Sequence, residues 1–411
     1  METTAVEPAH AALAGGQPAP MTVAADGSYA ARMVTGAEPG SWYPERWTLD
    51  GPEPYAVPLP LAQPEEPDSD LLPLADGRVL IRRRVADRHD LALLYPTGPG
   101  TGELPLGAVE CERLALLPPA PDGTTAYALA YGGDAETTTL WLVHGGAFGP
   151  ERIAELPGRC TGGVWLDRTG RLLALDQRLD PGADDDGRVK AVAVDLGRDG
   201  ELSPLLEITE DSNDRLLLAD PDSGLLLVRS DAPGHDRLGW GVLGGTRPVR
   251  FPEALRLADA AVTPFAIQPG QALTPETCAV ALRIDGAAGT WVGVWRPSER
   301  RLHQLAAPDG WLAGTGLWTR EGRLQLPCAT ADVPCGVAWL AAPEEAEDDP
   351  QPTGQTLELT AWQAPAPTTE PASGYGPAAA PLPPLPLPPR PVPLQQAPMA
   401  QHIGKTTAST R

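Results

Sequence analysis

A glycine-closed turn between two short apolar stretches returns seven times along this chain, and that recurrence restricts its architecture more than any other feature. The turn occurs in VAADGSYAARMV (Gly27), LADGRVLIRR (Gly77), APDGTTAYALA (Gly123), LDRTGRLLALD (Gly170), DPDSGLLLVRS (Gly224), IQPGQAL (Gly270) and TREGRLQLPC (Gly322). Successive glycines lie 46 to 54 residues apart. A two-residue Asp-Gly hairpin turn needs positive φ angles that glycine adopts without steric cost, so the recurrence calls for no functional explanation. A second marker keeps step with the first. About 16–25 residues after each glycine a bulky residue closes a further apolar strand: Trp47, Tyr95, Trp141, Val194, Trp240, Trp295 and Trp339. A fourth strand follows in several units, as in ELPLGAVE, ERIAELPG, ELSPLLEITE and RLHQLAAP.

Units of this length, built of strands and without helical periodicity, predict a β-propeller. One four-stranded blade cannot bury both of its faces, whereas a ring of blades stacks each sheet on its neighbours. The expectation is an all-β, seven-bladed β-propeller of four-stranded antiparallel blades over residues 20–362. The recurring bulky residue would fill the space between blades at one register. Six or eight blades, or two stacked β domains, are the alternatives. Residues 1–19 read as a flexible N-terminal segment. Residues 363–411 read as a disordered, Pro/Ala-rich tail, with TLELTAW (356–362) as the last outer strand.

The segment APDGTTAYALAYGGDAETTTLWLVHGGAFGPERIAEL (120–156) resembles blades of TolB-type and prolyl-oligopeptidase-type propellers. The shared pattern is a PDG turn, an apolar strand, a Leu-Trp strand and a glycine turn. The resemblance implies the fold and no particular activity, since propellers host many unrelated functions. A peptidase of that group would carry a Gly-x-Ser-x-Gly nucleophile turn, and the sequence has none. A TolB relative would be exported, and the first residues lack the basic start and apolar centre of a signal peptide. A cytoplasmic location is the expectation.

With 54 acids against 31 bases, the net charge of −23 repels phosphate backbones and argues against nucleic acid as a partner. A basic protein segment or a cation is electrostatically easier. Only two of the bases are lysines, Lys190 and Lys405, which fits a GC-rich, actinobacterial-like coding bias. No stretch is long and apolar enough to span a membrane.

Motifs for chemistry are weak. Cys328 and Cys335 could face each other in a hairpin as a disulfide or metal clip, or sit as two buried thiols. The six histidines show no metal-ligand spacing. The sequence IGKTT (Gly404, Lys405) lacks the glycine, strand and helix of a phosphate-binding loop. The run Asp184, Asp185, Asp186 lacks the alternating acids of a calcium loop. No cofactor is implied.

The acids do fall unevenly. In a propeller the connections from second to third strand, and from one blade to the next, share a face. Those loops contain QPEEPDSD (63–70), ADRHD (86–90), GGDAETT (132–138), DPGADDDG (180–187), EDSND (210–214) and DAPGHD (231–236). The expected binding residues are therefore Asp184, Asp185, Asp186, Asp211, Asp214, Asp231 and Asp236. In the tail, Pro383, Pro386, Pro389 and Arg390 form PxxP steps with a following arginine. Such a run favours a polyproline II rod, either a spacer or a second attachment point. The expected function is a non-enzymatic interaction scaffold. A propeller that binds or transforms a small, carbohydrate-like ligand in its central channel is the alternative, and an inactive peptidase-like propeller is a third reading.

Overall fold

The computed structural model describes residues 21–36, 38–132, 137–178 and 187–343. They form seven antiparallel sheets, each woven from consecutive strands. Blade 1 spans residues 22–58, blade 2 70–110, blade 3 113–157, blade 4 159–206, blade 5 214–242, blade 6 260–306 and blade 7 317–341. Blades 1, 2, 3, 4 and 6 have four strands, and among the described residues blades 5 and 7 have three. In blade 5 an isolated bridge between Trp240 and Arg250 stands where a fourth strand would run. The outer strand expected at 356–362 lies outside the described residues, as do the segments 1–19 and 363–411. Helical structure among the described residues is limited to three single 3-10 turns.

The ring is held by seven apolar layers, one at each interface between neighbouring blades. Between blades 3 and 4, Leu129, Leu140 and Leu156 pack against Trp165, Leu173 and Val194. Between blades 5 and 6, Leu227 and Trp240 meet Val280 and Trp295. The second strands read as apolar runs rather than alternations because both of their faces are covered. In the second strand of blade 4 (Leu172–Arg178) the five residues from Leu173 to Gln177 are all buried. Register carries the packing across a sheet. In blade 2, Leu72 pairs with Leu80, Leu80 with Leu93 and Leu93 with Leu104. The row is buried until Leu104, on the outer strand, which is 47% exposed. Burying one such leucine contributes about 1.5–3 kcal/mol.

All seven repeated glycines lie between the first and second strands of their blades, with φ between 68° and 88°. The turn differs from the expected two-residue hairpin. In blade 2, Gly77 N–H donates to Leu74 O at 3.0 Å, and Leu74 N–H donates to Arg78 O at 2.9 Å. This is a type I turn followed by a left-handed glycine, a three-residue loop whose last position demands positive φ. Blade 7 repeats the pattern with Thr319, Gly322 and Arg323. In blade 6, Gly270 instead opens a long connection before the second strand at Val280–Gly286. The aspartate before the glycine caps the turn. Asp76 Oδ1 accepts from Arg78 N–H at 2.9 Å, and Asp122 Oδ1 accepts from Thr124 and Thr125 N–H at 2.8 and 2.9 Å.

Glycine has a further role that spacing alone does not reveal. A Cβ on Gly123 would lie 2.6 Å from the Cβ of Ala75 in blade 2, and one on Gly27 would lie 2.8 Å from Leu317 in blade 7. The turns thus form a ring of close neighbours on one side of the propeller. They are joined by Ala75 N–H to Gly123 O at 2.9 Å, Arg46 Nη1 to Gly77 O at 3.0 Å, and the paired oxygens of Asp222 on Arg168.

The second marker holds by strand but not by register. Each bulky residue lies in the third strand of its blade. Trp47, Val194, Trp240 and Trp295 are buried, whereas Tyr95, Trp141 and Trp339 are half-buried. Trp47 and Trp240 pair with the third residue after the repeated glycine (Ala30 and Leu227), while Trp141 pairs with the fifth, Ala128. A residue displaced along its strand meets a different part of the neighbouring sheet, so interblade filling is shared among several positions.

Closure is the thinnest joint. The layer between blades 3 and 4 holds twelve buried residues, whereas that between blades 7 and 1 holds three, Met21, Ala30 and Trp47, with Leu312, Ala329 and Cys335 half-buried beside them. Among the described residues no strand is exchanged across this joint, so side-chain packing carries it.

Candidate functional site: the loop face opposite the glycine turns

Antiparallel order within each sheet sends the second-to-third-strand loops, and the connections between blades, to the side away from the glycine turns. That side collects the described acidic segments 63–70, 86–90, 210–214 and 231–236. Of the expected binding residues, Asp184, Asp185 and Asp186 lie outside the described residues, as do Pro383, Pro386, Pro389 and Arg390.

The other four acids divide into two kinds. Asp214 is fully buried at the start of the first strand of blade 5 (Asp214–Ala219). It accepts from Ser230 Oγ at 2.6 Å, Ser212 Oγ at 2.8 Å, Ile208 N–H at 2.9 Å and Lys190 Nζ at 3.0 Å. Burial works against its charge, but these donors outweigh it and hold the carboxyl below the usual carboxylate range. Asp231 is half-buried and fastens the same corner, accepting from Asn213 N–H at 2.7 Å and Asn213 Nδ2 at 2.8 Å. Both fasten strand ends within the fold; Asp214 offers no surface to a partner, while Asp231 keeps part of its surface exposed. A run such as EDSND does not reveal which carboxylate turns inward.

Asp211 is exposed, and Asp236 is 61% exposed with Arg229 Nη1 at 3.2 Å. Further exposed acids on this side include Glu66, Asp68, Asp87, Glu207 and Glu210. Several bases here are committed internally. Arg82 donates to Asp70 Oδ2 at 2.7 and 2.8 Å and to Asp68 O at 2.6 Å. Arg83 makes a two-pronged pair with Glu65 at 2.7 and 2.8 Å and also reaches Glu103. His89 is buried with its Nδ1 3.2 Å from Arg82 Nη1; burial first, then the Arg82 charge, pushes its pKa down.

The cysteines are all free. Cys328 Sγ lies 3.2 Å from Leu326 O, and Cys335 packs at the joint between blades 7 and 1. The pair therefore forms no disulfide, and burial pushes the two thiols up to about 11 and about 12. Among the described residues no three His, Cys, Asp or Glu side chains are grouped to hold a metal ion. No helix among them is long and apolar enough to cross a membrane.

One titratable group escapes a sequence reading. Asp176, in the second strand of blade 4, is 7% exposed and accepts Leu216 N–H of blade 5 at 3.1 Å. It lies beside the bulge at Gly162 and Gly163, whose φ angles are 77° and 140°. Burial raises its carboxyl to about 7, against smaller opposing effects of the Leu216 N–H and Arg215. The paired glycines in CTGGVW are its only trace in the sequence.

No family model and no curated protein matches the sequence. Solved structures do. Puromycin hydrolase aligns at a TM-score of 0.51 and 18% identity, over 80% of this chain and 52% of that one. The β-propeller domain of the trilobed protease from Pyrococcus furiosus, whose structure shows an open velcro topology, aligns at 0.50 and 11% identity, over 79% and 92%. TolB from Acinetobacter baumannii aligns at 0.40 and 11% identity, over 77% and 78%. The chain spans about half the length of puromycin hydrolase, and at these identities the likeness is one of fold: the chain is a seven-bladed propeller similar in fold to part of puromycin hydrolase and to the propeller domain of the trilobed protease.

Proposed function

We propose that this propeller is a non-enzymatic interaction module whose acidic loop face receives a basic protein segment. The observation that carries the reading is the division of charge on that face. Glu66, Asp68, Asp87, Glu207, Glu210 and Asp211 are exposed, while three of the bases there, Arg82, Arg83 and Lys190, are tied into the fold and Arg84, Arg88 and Arg256 remain exposed. Separated carboxylates around a ring suit several charges spaced along a chain better than one metal ion, which needs its ligands converged. The segment 363–411, with Pro383, Pro386, Pro389 and Arg390, acts in this reading as a spacer or second attachment point.

The test is titration of the full chain with a fluorescent arginine-rich peptide at several salt concentrations. Reversing Glu207, Glu210 and Asp211 to lysine is expected to weaken binding roughly tenfold and to flatten its salt dependence. Reversal of three exposed acids on the glycine-turn side, Glu53, Glu201 and Glu321, is the control and is expected to change binding little. Equal loss from both triplets, or no loss from the first, would refute the reading.

A further inference from the structure

Against the acidic character of this chain, one cleft is lined by arginine. It lies between blades 5 and 6 and has a volume of about 210 Å³. Arg229 and Arg237 flank it from the end of the second and the start of the third strand of blade 5 (Leu225–Ser230 and Arg237–Val242). Arg256 closes it from the connection to blade 6. Apolar residues complete the lining, among them the half-buried Leu257, with Leu255 and Val262 showing only the edges of side chains otherwise buried in the layer between blades 5 and 6. The strand ends that form it place it on the loop face.

The three guanidinium groups are not equally satisfied. Arg237 is held firmly, donating to Phe251 O at 3.2 Å and Pro252 O at 3.1 Å and pairing with Glu253 at 2.8 Å. It therefore shapes the wall. Arg229 donates to Val262 O at 3.1 Å and to the exposed Asp236 at 3.2 Å, and its buried Nε has no acceptor. Arg256 is 60% exposed, with its nearest carboxylate oxygen, on Glu253, 3.9 Å away. Arg256 thus has donors to spare, and Arg229 offers the fork now taken on one prong by the exposed Asp236. The one acid in the lining, Asp236, is a surface partner that an incoming anion can replace.

We propose that this cleft binds a carboxylate carried on a branched aliphatic group. Arg229 and Arg256 take the carboxylate, and Leu255, Leu257 and Val262 take the stem. A planar carboxylate matches the forked donors of a guanidinium, and the cleft admits a group of about leucine size. A free aliphatic acid and the C-terminal residue of a peptide share this chemistry. The proposal is independent of the basic-segment reading, because none of its residues is changed in the charge reversals described above.

Calorimetric titration of the full chain with N-acetyl-leucine, N-acetyl-leucine amide and acetate tests it. The acid is expected to bind at least about tenfold more tightly than the amide or acetate, since loss of a charge-assisted pair or of the buried stem costs that much. The tripeptide Ala-Ala-Leu, with its C-terminal amide as control, separates the sources. Affinity above that of N-acetyl-leucine assigns a peptide terminus, and affinity below it assigns a free acid. Arg229→Gln is expected to abolish binding. Arg256→Ala, at an exposed side chain, is expected to weaken it by about tenfold whether or not the first variant folds. Asp236→Asn is expected to tighten binding several-fold by removing the competing carboxylate. Equal affinity for acid and amide, no binding of either acid or tripeptide, or unchanged affinity in Arg256→Ala would overturn the proposal.

Discussion

Asp176→Asn isolates the energetic consequence of burying one carboxyl between blades 4 and 5. The folded protein holds this group at about 7, and its ordinary value is 3.8. Because the folded state keeps the proton longer, stability tied to this group is fully present below pH 3.8. It falls as the unfolded chain ionises and is lost by about pH 7. At about 1.4 kcal/mol per pH unit the full gap is about 4 kcal/mol, an upper bound because water entry and local relaxation reduce it. Asparagine keeps an oxygen for Leu216 N–H and carries no charge to desolvate. The variant is therefore expected to match the parent near pH 4 and to exceed it by about 1–4 kcal/mol at pH 8. Denaturant titrations of both proteins across this range read the difference directly, since groups common to the two cancel. The difference should climb between roughly pH 4 and 7 and then level off. A difference that stays flat with pH, or a variant less stable than the parent at pH 8, would refute the reasoning.

Three further outcomes follow from the packing. Gly123→Ala combines a φ of 68° with a Cβ contact of 2.6 Å to Ala75, so thermal denaturation should show a loss of about 2–4 kcal/mol. Gly40→Ala, with φ 80° and open space around it, should lose only about 1–2 kcal/mol. Asp214→Ala leaves several buried donors without an acceptor and should destabilise by about 3 kcal/mol in denaturant titration, while Asp211→Ala, at an exposed position, should stay within about 0.5 kcal/mol. Trp47→Ala should cost about 3–5 kcal/mol, with hydrogen exchange rising first in blades 1 and 7, because the layer there has few other buried residues.

The legibility of the fold and of the site in the sequence differed for physical reasons. Ring architecture could be read because most blades solve the same local problem with the same chemistry, a turn capped by an aspartate in blades 1 to 5 and closed by a glycine in all seven. All seven glycines have positive φ between the first and second strands of their blades, and those of blades 1, 2, 3 and 7 close the same turn, each N–H donating to the carbonyl three residues before it. Turn type was not legible, since Asp-Gly suits a two-residue hairpin as readily as a type I turn with a bulge. Nor was the register of the bulky residues, because a tryptophan shifted along its strand still buries its ring. The site was less legible still. Charge sorted by loop located a face, but Asp214 and Asp231 turn inward to strand ends contributed by residues far along the chain. The arginine cleft draws on residues from 229 to 262 whose proximity depends on two blades being in place.

Each described sheet is completed before the chain moves on to the next. A cut between blades 2 and 3 or between blades 3 and 4 would sever no hydrogen-bonded ladder, and residues 21 and 343 lie next to blades that already adjoin. The order in which the blades are synthesised is therefore separable from the order in which they stand around the circle. A gene rearranged to begin at blade 3 or blade 4, with its former ends bridged, would encode the same set of sheets and the same seven contacts between them.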